Sequence, residues 1–313
     1  PAHARAGHRA RGFAQEACRL GALTAAPPPP GRLVGMSLTS MLEAAGRGGT
    51  VEVEQGWTQG RAIFGGLSGA LMVSAMKGRI ADLAASTGKP ETVPPLRAVT
   101  VAFIGPATPG PVEIEAEILR VGSNVTQCQA TLRQSGEVVA TALAAFGRRR
   151  ESALSVVPPH PAPEMPEPGT IEPFPYIENL TPEFYRFVEL RMVGGQVPFS
   201  GSESDGLSGW TSLREAPERF REEHLVLLAD AWPPAPLQML DGFAPGSSLT
   251  WTLELIGEIG VGPDPAPGED DAVFAYEATT DSARNGYAHT HAMVWRPDGE
   301  LVAISRQSIT IFG

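Results

Sequence analysis

The chain repeats itself, and the repeat limits the folds open to it. GEVVATALA at residues 136–144 aligns with GELVAISRQ at 299–307, and VTVAFIG at 99–105 aligns with WTLELIG at 251–257. The pattern around these segments recurs as well. Hydrophobic alternation predicts a short strand at 50–54, a helix from Phe64 to about Ala85, and strands at 96–104, 112–121, 125–134 and 137–146. It then predicts strands at 184–193 and 207–213, a helix entered through Pro217, and strands at 248–256, 272–280, 286–295 and 300–311. Self-similarity on this scale marks one supersecondary unit used twice.

An antiparallel sheet with one apolar helix must bury one sheet face on that helix. The fold expected is therefore α+β: a double hot-dog, with two antiparallel sheets each wrapped around a long helix. A proline-rich stretch, VVPPHPAPEMPEPGTIEPFP at 156–175, lacks periodicity and reads as a linker. The expected organisation is an N-terminal unit at 36–150, a linker at 151–175 and a C-terminal unit at 176–313. Residues 1–35 carry five arginines against the single acid Glu16 and end in a proline run before Met36. That composition fits a transit peptide, a disordered tail, or upstream sequence translated ahead of Met36, and it is set apart from the fold.

The charge of −11 argues against nucleic acid or an anionic membrane as the partner. Glycine or charge interrupts every apolar run before it reaches membrane-spanning length. Two cysteines, Cys18 and Cys128, are too few for a disulfide framework and fit reduced thiols in a cytoplasmic protein. His3 and His8 fall in the leader and His160 in the linker. His224 is expected as a solvated residue in the first turn of the second helix. His289 and His291 share a strand face with no third ligand nearby, so no metal site is expected.

Because the unit occurs twice, one copy serves as a control for the other. Asp230 stands in the apolar run HLVLLADAWPPAP, whereas the first helix has no acid in its apolar run and offers Ser74 as the nearest counterpart. Alternation puts Ser248, Thr250 and Thr252 on one strand face, where the first half has Leu96, Ala98 and Thr100. Gln307 aligns with Ala144. A duplication that served structure alone gives no reason for a carboxylate, hydroxyls and an amide in one copy only. The first half contributes a different feature, the pair Gly65–Gly66 at a helix start. Those glycines either offer backbone N–H groups to a ligand or let helix and sheet pack closely. Gly66-Leu67-Ser68-Gly69 falls one residue short of a nucleophile elbow.

Through QGRAIFGG, VAFIGPATPG, ILRVGSNVTQCQATLRQSGEVVATA and AFGRRRES in the first half, the chain resembles the TesB-like acyl-CoA thioesterases, the double hot-dog thioesterase family. In the second half the resemblance runs through LLADAWPPAP, SLTWTLEL and GYAHTHAMVWRPDGELVAISRQ. It implies an acyl-CoA substrate, no cofactor, a homodimer, and a catalytic Asp, Thr and Gln. The Asp position falls on Asp230 and the Gln position on Gln307. The Thr position falls on Ser248, with Thr250 as the alternative if the register differs. Gly65 and Gly66, flanked by Phe64 and joined by Trp232 beside Asp230, are the substrate-binding candidates. Arg61, Arg120 and Arg148–Arg150 are candidates for the CoA phosphates. Such a set would hydrolyse a thioester with a water positioned by Asp230, Ser248 and Gln307. The alternatives are a double hot-dog that binds acyl-CoA or a lipid-like ligand without turnover, and an enoyl-CoA hydratase or dehydratase built on a His–Asp pair.

Overall fold

In the computed structural model, residues 37–88, 93–156, 161–257, 259 and 273–312 are described. Expectations for the leader, Cys18 and His160 lie outside them. Ser37 caps helix α1 (Leu38–Arg47), its side chain accepting from the Ser40 N–H. Strand β1 (Gly49–Val53) follows, then a small hairpin of β2 (Thr58–Gln59) and β3 (Ala62–Ile63). Helix α2 (Gly65–Ser86) runs for 22 residues. Leu71, Met72, Val73 and Met76 on α2 are fully buried because the helix is covered on every side in its first turns. Strands β4 (Leu96–Phe103), β5 (Gly110–Val121), β6 (Val125–Gln134) and β7 (Glu137–Gly147) complete the first unit.

The second unit comprises β8 (Val188–Gly194), β9 (Gly206–Leu213), helix α3 (Glu222–Ala229), β10 (Gly246–Leu255), β11 (Val273–Arg284), β12 (Tyr287–Trp295) and β13 (Leu301–Ile311). The fold is a double hot-dog, with one feature alternation does not reveal. The two sheets join edge to edge through β4 and β10 into one eleven-stranded sheet of order β1-β5-β6-β7-β4-β10-β13-β12-β11-β9-β8. At that seam Thr100 lies opposite Thr252, and their hydroxyls are 3.1 Å apart.

Three local details depart from expectation. The second helix is short, eight residues: it starts at Glu222 and not through Pro217 as expected, and Pro233 and Pro234 after Asp230 cannot continue it. The predicted strand at 184–193 starts late, at Val188, because Glu183–Arg186 form a single 3₁₀ turn. That turn stacks Phe184 on Phe64, with centroids 3.9 Å apart, and leads Phe187 onto Trp57 at 4.3 Å, tying the second unit to the first. The described part of the linker is docked. Ala162, Met165 and Ile171 pack on Trp210, Ala275, Trp295 and Leu301, and the Trp210 indole N–H donates to the Pro166 carbonyl at 2.9 Å.

Glycines on α2 set how closely α3 approaches. A Cβ on Gly66 would lie 2.6 Å from the Leu227 carbonyl oxygen, and one on Gly69 would lie 3.0 Å from the Trp251 ring and 3.3 Å from Val226. Polar contacts hold the other end of the helix pair. Lys77 of α2 reaches Glu222 at 3.2 Å and Glu223 at 3.0 Å, and Glu222 also accepts the Leu96 N–H at 2.8 Å.

Candidate active site

The site is built where the start of α2 meets the end of α3. Asp230 is the C-cap of α3, so its side chain leaves the helix at the point where the chain turns toward the prolines. Gln307 of β13 donates from Nε2 to Asp230 Oδ1 at 2.6 Å. From the other unit the backbone N–H of Gly66 is close enough to the carboxylate to favour its charged form. A Cβ on Gly65 would lie 2.7 Å from Asp230 Oδ2 and 3.1 Å from the Phe103 ring. Only glycine allows the carboxylate to sit this close to the helix start. Desolvation outweighs these two polar influences and pushes the Asp230 pKa from 3.8 up to about 7.

The hydroxyl assignment turns on a β-bulge. Ser248 pairs with Ile309 and Thr250 with Ser308, leaving Leu249 as an extra residue in β10. Trp251 pairs with Gln307, and directly opposed residues in an antiparallel pair share a face. Trp251 and Ile309 are buried at 1% exposure, so their face is the inner one. Ser248 therefore lies on the inner face with Gln307, while Thr250 lies with Ser308 on the outer face, along with Thr252. This corrects the expectation that Ser248, Thr250 and Thr252 share one face; simple alternation fails at a bulge. Asp230, Ser248 and Gln307 all keep intermediate exposure, Asp230 between the buried Ala229 and Ala231.

The other sequence candidates are placed as follows. Gly65 and Gly66 are both at Asp230, where the start of α2 closes on the carboxylate. Phe64 is fully enclosed against Phe184, which makes it a core residue that fixes the approach to α2. Trp232 is buried, stacked on Tyr276 with centroids 5.6 Å apart, and its indole N–H has no partner. Tyr276 is a neighbour that sequence reasoning missed. Burial raises its phenol pKa, and the nearby Asp230 charge raises it further. Its place on the inner face of β11 was readable from alternation, but nothing in the sequence linked it to Asp230.

Arg61 is exposed in the turn before Phe64, and Arg120 borders a small pocket with Asn124 and Gln127. Arg148, Arg149 and Arg150 line a cleft of about 530 Å³ together with Arg97 and Arg296. That cleft is at the far end of β4, six residues before Phe103, and so about 20 Å along the strand from Asp230.

His224 is not solvated. It is buried, its Nδ1 accepts the Arg221 N–H at 2.9 Å, and burial pushes its pKa down to about 4. It stands six residues before Asp230, about 9 Å along the helix axis. His289 contacts Ser308 and His291 contacts Asp281 on exposed parts of the sheet. Among the described residues no histidine accompanies Asp230, and no group of three or more His, Cys, Asp or Glu is placed to hold a metal ion. No helix among them is long and apolar enough to cross a membrane.

Comparison with known proteins agrees with this architecture. Residues 53–147 match the acyl-CoA thioesterase N-terminal domain, and residues 159–311 match the acyl-CoA thioesterase C-terminal domain. No curated protein matches significantly. Among solved structures, a hot dog fold protein of unknown function from Alicyclobacillus acidocaldarius is 24% identical, with a TM-score of 0.70 over 84% of this chain and 92% of its own. A protein provisionally named thioesterase II from Thermobifida fusca is 20% identical, with a TM-score of 0.69 over 90% and 100%. The tesB protein of Mycobacterium avium subs paratuberculosis is 17% identical, with a TM-score of 0.63 over 88% and 100%. At these identities the structural neighbours speak for the fold.

Proposed function

The chain belongs to the acyl-CoA thioesterase family, in its tandem hot-dog form, and from that premise we propose that it hydrolyses an acyl-CoA thioester to the free acid and CoA at Asp230. The observation that carries the proposal is the 2.6 Å bond from Gln307 to Asp230 at the mouth of the other unit's helix. A carboxylate whose pKa lies near 7 is matched to taking a proton from water at neutral pH. In this account Gln307 and Ser248 orient the water and Asp230 accepts its proton as the oxygen attacks the carbonyl carbon. The carbonyl oxygen becomes an oxyanion beside the first turn of α2, where the Gly65 N–H has no partner within the helix. As the oxyanion collapses, the carbon–sulfur bond breaks, and Asp230 returns the proton to the departing thiolate. No covalent acyl-enzyme is needed.

Thiol release from saturated acyl-CoAs of increasing length tests this. The account expects hydrolysis, with an optimum length set by the depth of the site. Saturable binding with no thiol release at any length would overturn it in favour of a non-catalytic binding protein. The lack of a described histidine at Asp230 leaves the dehydratase alternative without a proton-transfer partner.

A further inference from the structure

A polar row runs from the proposed site into the second unit. Gln307 lies opposite Thr290, and Thr290 lies opposite Thr280, so the three share the inner face of β13, β12 and β11. Thr290 is 7% exposed, and the Thr280 hydroxyl is buried with no hydrogen-bond partner. The first unit supplies the control. There Ala144, the counterpart of Gln307, lies opposite Cys128, which lies opposite Ile118. The two rows end at matching bulges, after Ile118 in β5 and after Thr280 in β11. The same place in the same fold is therefore filled by apolar groups and a thiol in one copy and by an amide and two hydroxyls in the copy that holds Asp230.

Leaving a buried hydroxyl unpaired costs about 1–3 kcal/mol, a cost the apolar row avoids. We propose that Thr290 and Thr280 select acyl groups that carry a hydroxyl or keto oxygen on the carbons nearest the thioester. The inference rests on the thioesterase reading and names the substrate class for the same site. Neighbouring strands are about 4.8 Å apart. Thr290 is thus one strand spacing from Gln307, the reach of two carbon–carbon bonds plus a hydrogen bond, and Thr280 is one strand further. The row leads away from the β4–β10 seam into the covered interior of the second unit. The phosphates of CoA stay in water, so the part of the substrate that enters this interior is the acyl group.

The test compares kcat/KM for a 3-hydroxyacyl-CoA and the unsubstituted acyl-CoA of equal length, followed by thiol release. Wild type is expected to prefer the hydroxylated substrate. Thr290→Val is expected to lower kcat/KM for that substrate about tenfold, the worth of one hydrogen bond, while leaving the unsubstituted substrate within about threefold. Thr280→Val shifts the ratio in the same direction, and Thr290→Ser, which keeps the hydroxyl, retains the preference. Equal kcat/KM for both substrates in wild type would overturn the inference while leaving the thioesterase reading intact. An equal loss on both substrates in Thr290→Val would do the same, pointing to a bridging water. No hydrolysis of either substrate would overturn both.

Discussion

Asp230, Gln307 and Ser248 hold different kinds of information at the residue scale. Asp230 was legible because a lone acid in an apolar run needs a partner, and Gln307 because its counterpart in the first unit is Ala144. Ser248 was legible as the first choice with Thr250 left open as the alternative, since a bulge at Leu249 decides which hydroxyl faces inward and alternation does not encode bulges. Ser248→Ala is expected to lower kcat by about 10- to 100-fold, with little change in thermal stability, whereas Thr250→Ala leaves turnover near wild type. Thiol-release kinetics on both variants check this; a large loss in Thr250→Ala with none in Ser248→Ala would reverse the assignment. The raised pKa of Asp230 gives a second expectation. Activity should rise with pH through about 7, as the carboxylate ionises, and then level off. Stability should run the opposite way. Between about pH 4 and 7 the folded chain keeps a proton that the unfolded chain has released, so stability falls as pH rises through that window. A kcat/KM profile already flat at pH 5 would show that no base of this kind limits the reaction.

The meeting of α2 with α3 organises the molecule at the scale of elements. The sequence showed both helices, yet it did not show that glycines on α2 let α3 come close enough for the Gly66 N–H to reach Asp230. From sequence the glycine pair reads either as a donor to a ligand or as a place of close packing. Contact between helices far apart in sequence depends on packing, and periodicity within one helix carries no trace of it. The ion cluster of Lys77, Glu222 and Glu223 leaves no trace in the sequence for the same reason, although each glutamate side chain is only 5% exposed. Removing the one cation leaves two enclosed carboxylates facing each other. Lys77→Met is therefore expected to cost about 3–5 kcal/mol at neutral pH, measured by urea unfolding. The penalty should shrink at lower pH as the glutamates take up protons; a loss that does not change with pH would remove the cluster's charge as the cause.

For the whole molecule, duplication was the most legible feature, and it gave the α+β double hot-dog before any contact was known. The fusion of the two sheets through β4 and β10 was not legible, because each strand pairs in the same alternating pattern whether or not its edge is covered. That fusion puts the start of the first unit's long helix against the carboxylate of the second, so the candidate site draws on both copies. The central claim is that this composite carboxylate activates the water. Its most direct test is thiol release by Asp230→Asn, with acyl-CoA binding followed in parallel. The variant preserves shape and removes the proton acceptor, so kcat is expected to fall by about 10²–10⁴ while binding persists. Turnover near the wild-type rate in a folded Asp230→Asn protein would contradict the account.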